Sequence, residues 1–249
     1  MGRAPHSLVE DHTPDAVSAR LEERHKPSYL HDFIYGAIDG AVTTFAVVAG
    51  VQGASLDETI VIILGVANLV ADGFSMAVSN FLGSRAERQQ RERARRVEER
   101  HIREIPEGER EEIRQIFAAK GFKGEDLEKV VDVITSDPEL WIETMMSEEH
   151  GFASTTRNEF RAAASTFAAF VAIGALPLIV YFLDAAGLEI ANLFVWSAAI
   201  TGVAFFIVGA LKSRFVDQSA WRSGLETLAI GGLAAALAYA AGALLQGVA

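Results

Sequence analysis

Seven side chains in the middle of the chain recur at the spacing of a helix face and carry the chemistry of a divalent-metal site. Glu98 and His101 lie three residues apart, as do Glu109 and Glu112, while Glu149 follows Met145 by four and Met146 by three. Residues three and four apart share one side of a helix, so three faces can converge on one or more cations. Carboxylates with an imidazole and thioethers suit Fe2+, Mn2+ or Zn2+ better than Mg2+ or Ca2+. The alternative is a solvated acidic surface. A second group lies in apolar sequence. Asn68, Asp72, Met76 and Asn80 recur every four residues and share one stripe, and Asp39 has Thr43 one turn on, with Ala46 and Gly50 continuing its face. A charge at mid-bilayer costs about 2.5–3.5 kcal/mol on insertion scales. Two such carboxylates point to a lined path for a cation, against the alternative of carboxyls hydrogen-bonded to a neighbouring helix.

The elements that hold these groups are written in the hydropathy. Half of the 249 residues are hydrophobic, and they gather in five runs, Phe33–Gly53, Thr59–Leu82, Ala162–Leu183, Ile190–Leu211 and Thr227–Ala249. Each meets the roughly 20 residues that a spanning helix needs. The last three contain no Asp, Glu, Lys, Arg or His. Thr59–Leu82 leads into Arg85–Arg103, densely charged and free of Pro and Gly, which predicts one helix of roughly 65 Å, half in lipid and half in water. Gly36, Ala37, Gly40 and Ala41 are small enough to let a neighbouring helix approach closely. Arg85–Arg161 is the one sizeable soluble block. Pro106 ends its first helix, Glu107–Ala119 buries Ile113, Ile116 and Phe117, and Gly121 and Gly124 punctuate the chain. Leu127, Val130, Val131 and Ile134 form the next apolar stripe, and Pro138 opens a helix through Trp141 to His150. The expected class is an all-α membrane protein of five transmembrane helices, with a helical cytoplasmic domain inserted between helices 2 and 3. Its divisions are residues 1–30, a cytoplasmic tail; 31–84, transmembrane helices 1 and 2; 85–158, the metal-binding domain; and 159–249, transmembrane helices 3 to 5.

Charge placement sets the expected topology. Of the 22 Lys and Arg, four precede the first run, fifteen lie in Arg85–Arg161 and three lie in Lys212–Arg222. Ala54–Glu58 and Asp184–Glu189 have none. The positive-inside rule therefore puts the tail and the charged block in the cytoplasm and the C-terminus outside. The chain has no cysteine, which removes disulfides and thiolate metal sites. The first 30 residues lack an apolar core, so no cleavable signal peptide is expected, and His6 and His12 there read as isolated, inert histidines. A net charge of −11 argues against nucleic acid as a partner. No nucleotide-binding glycine motif and no nucleophile–base pair is present, so the chain does not read as an ATP-driven pump or a hydrolase.

The stretches Asp39–Gly40–Ala41–Val42–Thr43–Thr44–Phe45–Ala46–Val47–Val48–Ala49–Gly50 and Asn68–Leu69–Val70–Ala71–Asp72–Gly73–Phe74–Ser75–Met76 resemble the vacuolar iron transporter family, also called the yeast calcium cross-complementer family. The likeness runs from Leu30 nearly to the end and includes Pro106 with Glu109 and Glu112, Trp141 with Met145, Met146 and Glu149, and Gly174–Ala175–Leu176–Pro177–Leu178. It implies a five-helix dimer that moves Fe2+, and often Mn2+, out of the cytosol in exchange for protons. It also implies an ion path at the dimer interface using Asp39 and Met76, and a cytoplasmic site built from Glu98, Glu109, Glu112, Met145, Met146 and Glu149. Two residues depart from the family pattern. Asn68 stands where plant-type members carry a glutamate, with Asp72 one turn later to replace it, and His101 stands where another glutamate is usual. The resulting expectation is a secondary transporter with divalent metal as substrate and no permanent cofactor, in a bacterial inner membrane rather than a vacuolar one. Its rivals are a membrane-tethered metal sensor or store without flux, and a ferroxidase built on Glu98 and His101. Di-iron bundles need two Glu-x-x-His pairs, and His150, with Ser147 three residues before it, does not form a second.

Overall fold

Apolar runs fold as helices because lipid offers the backbone no hydrogen-bond partner. The computed structural model describes residues 12–23, 28–152, 157–216 and 218–247, and every regular element among them is helical. His6 lies outside them. In chain order the helices are α1 (Pro14–Glu23), α2 (Leu30–Gly53), α3 (Glu58–Glu104), α4 (Pro106–Ala119), α5 (Gly124–Thr135), α6 (Pro138–Glu148), α7 (Glu159–Gly174), α8 (Ile179–Leu183), α9 (Leu193–Lys212) and α10 (Ala220–Leu245). Five segments are long and apolar enough to cross a membrane: α2, α3, the interrupted Glu159–Leu188, α9 and α10. The chain is thus a multi-pass membrane protein. The N-terminal segment, read from sequence as a tail, holds one helix. Pro14 sits at the start of α1, Asp15 is in its first turn, and Thr13 Oγ1 accepts from the Ala16 N–H at 3.4 Å, the combination that favours helix initiation.

Contacts divide the chain into two compact units, Tyr29–Ser84 with Asn158–Ala249, and Met1–Ser28 with Arg85–Arg157. Helix α3 contributes to both. In the membrane unit α2 is central, packing on α7, α9 and α10. Its small residues allow this. A Cβ at Gly36 or Gly40 would press into the carbonyl oxygens of Thr166 and Phe170 on α7, and Ala37 and Ala41 are fully buried beside them. Phe45, Val48, Leu69, Phe170 and Phe205 fill the core. The third apolar run breaks after Gly174, because Pro177 has no N–H to donate and its ring crowds the preceding turn. A short 3-10 turn, Leu176–Leu178, bridges to α8. The Pro177 carbonyl accepts from Ser197 Oγ of α9 at 2.7 Å, so the break is satisfied rather than left open.

The second unit assembles residues 85–104 of α3 with α4, α5 and α6. Ile113, Val131, Ile134, Trp141 and Met145 are buried together, flanked by Ile102, Ile116, Phe117, Leu127 and Val130. Ile113 and Val131 are wholly covered, each contributing about 1.5–3 kcal/mol by burial. Pro106 disfavours helical backbone at Ile105 (φ −137°, ψ 52°), so α3 ends and α4 starts in a new direction. Asp137 caps α6, accepting from the Glu139 N–H at 2.9 Å. Surface cations pair across helices, Arg110 with Asp132, Arg114 with Glu128, Arg95 with Glu139 and Lys120 with Glu148, and Arg114 also pairs with Glu111 within α4. Exposed pairs of this kind are worth at most about 1 kcal/mol each. Their consequence is that Lys and Arg are engaged away from Glu98 and Glu109.

Candidate metal centre

The turn at Pro106 folds the first turn of α4 back toward the last turns of α3. Glu109 thereby meets Glu98 and His101. His101 Nδ1 lies 3.1 Å from Glu109 Oε1, and Glu98, His101 and Glu109 each offer a ligand atom within 4.8 Å of the others. Both glutamates are buried, at 2% and 1% exposure, and the Oε2 of each has no hydrogen-bond partner. Leaving a buried acceptor unpaired costs about 1–3 kcal/mol, more for a charged group. Their only ion-pair partners among the described residues are histidines. Burial, then the charges of Glu98 and Glu112, push the Glu109 carboxyl up to about 7, with His101 pulling it down. Burial and Glu98 likewise raise Glu149, which His150 opposes. A site that penalises its own negative charge in this way is relieved by a cation.

Not every residue expected here converges. Glu112 is exposed, close enough to act on Glu109 and Glu149 by charge but outside the three-ligand group. Met145 is fully buried in the apolar core beside Ile113 and Trp141, and Met146 lines a cavity of about 230 Å³ with Arg91, Leu140 and Phe152. Sequence reasoning missed His150. Its Nε2 is 2.9 Å from Glu98 Oε1, although helical periodicity gave no reason to place it there.

In the membrane unit the polar stripe of α3 divides. Asn68 Nδ2 donates to Thr43 Oγ1 at 3.1 Å and Thr44 Oγ1 at 3.3 Å, fastening α3 to α2. Asn80 Nδ2 donates to Asp32 Oδ1 at 3.0 Å and Thr166 Oγ1 at 2.7 Å, joining α3 to α2 and α7. Asp32 is buried and was not singled out in the sequence. Both end residues of the stripe are therefore committed to helix packing. Asp72 and Met76 remain between them, Asp72 exposed and Met76 half-buried against the core. Asp39 is half-buried on α2 and within electrostatic reach of Asp72. Two carboxyls and a thioether thus share one region, with asparagines fixing the helices on either side.

A family model described as the VIT family matches residues 30–243. The chain is 33% identical to a vacuolar iron transporter of Toxoplasma gondii, over 98% of its own length and 83% of the relative's. It is 31% identical to vacuolar iron transporter 1 of Arabidopsis thaliana, over 96% of its length and 92% of the relative's. A vacuolar iron transporter of Plasmodium berghei is also 31% identical, over 88% and 82%.

Proposed function

The chain belongs to the VIT family, and from that premise we propose that it carries Fe2+, and Mn2+ with it, out of the cytosol in exchange for protons. The observation that carries this reading is the pair of buried glutamates, Glu98 and Glu109, whose buried Oε2 atoms have no hydrogen-bond partner and whose only ion-pair partners among the described residues are histidines. Such groups hold cations. With Glu112, Glu149, Met145 and Met146 they form a cytoplasmic capture site, and imidazole adds preference for borderline metals, Zn2+ included. In the membrane, Asp39, Asp72 and Met76 coordinate the ion in transit, and the two carboxylates exchange it for protons.

The same reading requires a second copy of the chain. Asp72 sits in a spanning segment of which only 22% is buried, and a carboxylate facing lipid at mid-bilayer is costly. A homodimer that closes on this face of α3 gives Asp72 a polar, ion-holding environment in place of lipid.

Reconstituted vesicles with an entrapped metal-sensitive dye test the function. Fe2+ and Mn2+ uptake should rise when the vesicle interior is acidified, and Asp72→Asn, which keeps shape and loses charge, should abolish flux while the protein remains folded. Binding without flux would make the chain a sensor or store, and oxygen-dependent Fe3+ formation would make it an oxidase. Either result would overturn the transport reading.

A further inference from the structure

Arg91 on α3 differs from the arginines one turn to either side. Arg88 pairs with Glu92 at 2.8 Å, and Arg95 pairs with Glu99 at 2.9 Å and with Glu139. Arg91 is partly buried and pairs with no carboxylate among the described residues, and its covered Nη1 has no hydrogen-bond partner. A buried donor left unpaired has given up its hydration for nothing, and a charged one has given up more. Arg91 lines a cavity of about 230 Å³, well beyond the space of one water molecule. Leu140, Glu143, Thr144 and Ser147 also line it. They recur at three and four residues, so α6 turns one face to the cavity. After α6, Gly151 takes a left-handed φ of 69° and the Phe152 N–H donates to Met146 O at 2.9 Å. A left-handed glycine turns the chain back across the last turn of a helix, which brings Phe152 to the cavity beside Met146.

We propose that this cavity binds a small organic monocarboxylate, with its carboxylate on Arg91 and its short carbon chain against Leu140, Met146 and Phe152. The class follows from the lining. A guanidinium presents paired N–H donors in a planar fork that matches the two oxygens of a carboxylate. Thr144 Oγ1 donates to Leu140 O at 2.7 Å and Ser147 Oγ donates to Thr144 O at 3.0 Å. Both hydroxyl protons are thus committed, which leaves Arg91 as the donor for an anion. Apolar walls with one placed charge suit a ligand that has a carbon body as well as a charged head. Glu143, exposed in the same lining, repels a second negative charge and so disfavours dianions such as phosphate near neutral pH. The site goes beyond the transport reading. Of the residues assigned to cation capture it uses Met146 alone, as a wall.

Butyrate is the probe, a four-carbon monocarboxylate whose protons report binding by saturation-transfer NMR. The full-length protein in detergent is titrated with butyrate at pH 7.5, and binding should saturate. Arg91→Gln keeps a polar side chain without the charge and should weaken binding by about tenfold or more. Ser147→Leu fills the cavity from an exposed position and leaves the Arg91 charge in place. It should weaken binding with the melting temperature unchanged, which keeps the test open if Arg91→Gln fails to fold. Phosphate, an anion without a carbon body, and butanol, a carbon body without a charge, should displace butyrate poorly. The proposal falls if butyrate does not saturate, or if folded Arg91→Gln or Ser147→Leu protein binds it as the unsubstituted chain does. It falls also if phosphate competes as well as butyrate itself, which would make the cavity a site for any anion.

Discussion

Glu109 is held up to about 7, first by burial, then by Glu98 and Glu112, against the pull of His101. The ordinary value of such a carboxyl, 4.5, is the unfolded one. Between about 4.5 and 7 the folded chain therefore binds more protons than the unfolded chain, and stability falls as pH rises through that window. Glu149 is shifted in the same direction. Glu111 is lowered by the Gln115 amide and then Arg114, Glu128 by Arg114 and Glu139 by Arg95, so their contributions change below 4.5 and do not mask the effect. In metal-free full-length protein the folding stability should drop between pH 5 and 7.5 by on the order of 1–3 kcal/mol, read as a lower melting temperature. Glu109→Gln should flatten much of that slope, and saturating Mn2+ at pH 7.5 should restore stability by binding the ionised form. An unchanged slope in Glu109→Gln would mean that the site's charge is already balanced. The members of this group that were legible in the sequence are those on regular helix, where three-residue spacing puts Glu98 beside His101. His150 was not, because it lies past the end of α6 and its position depends on a backbone reversal at Gly151. Asp32 was hidden for another reason. Its partner Asn80 is 48 residues away, and no local pattern shows such a pairing.

Helices pack in lipid by close approach rather than by expelling water, and α2 shows what that demands of individual positions. Gly40 lies where a Cβ would meet the carbonyl oxygen and backbone of Phe170, and Gly174 on α7 faces Gly40 O, with 2.8 Å to an added Cβ. Backbone on both sides cannot give way as a flexible side chain would. Gly40→Val should therefore destabilise the protein in detergent by about 1–3 kcal/mol or more. Gly83 on α3 provides the contrast, since nothing stands within 4 Å of an added Cβ. Gly83→Ala should be neutral or gain about 0.5–1 kcal/mol from reduced chain entropy. If Gly40→Val lost no more stability than Gly83→Ala, close interhelical approach at Gly40 would not limit the stability of these spans. The small-residue face of α2 was readable from Gly36, Ala37, Gly40 and Ala41, as were the five apolar runs. The interruption of the third run at Pro177 was readable only in part. Proline marks a break, but the Ser197 hydroxyl that makes the break tolerable comes from a different helix, α9.

Across the whole molecule, charge is distributed more unevenly than fold requires. All 22 Lys and Arg lie before the first apolar run, between the second and third, or between the fourth and fifth. The turn between α2 and α3 and the segment linking α8 to α9 carry none. An odd number of spans puts the two ends of the chain on opposite sides, and on the proposed reading the bias toward one set of loops puts the capture site on the cytoplasmic side. What a single chain cannot express is the partner that would cover Asp72, because an interface between copies leaves only an exposed polar residue as its trace. Orientation, by contrast, is open to direct measurement, since the chain has no native cysteine to confuse a reporter. Ser136 lies exposed between α5 and α6, and Gln246 is exposed at the end of α10. Ser136→Cys should react with a membrane-impermeant thiol reagent only when the cytoplasmic face is opened to it, and Gln246→Cys only from the opposite face. Labelling of both from one side would remove a span from the count. It would also place the captured metal and the C-terminus in the same compartment, which no arrangement of five crossings permits.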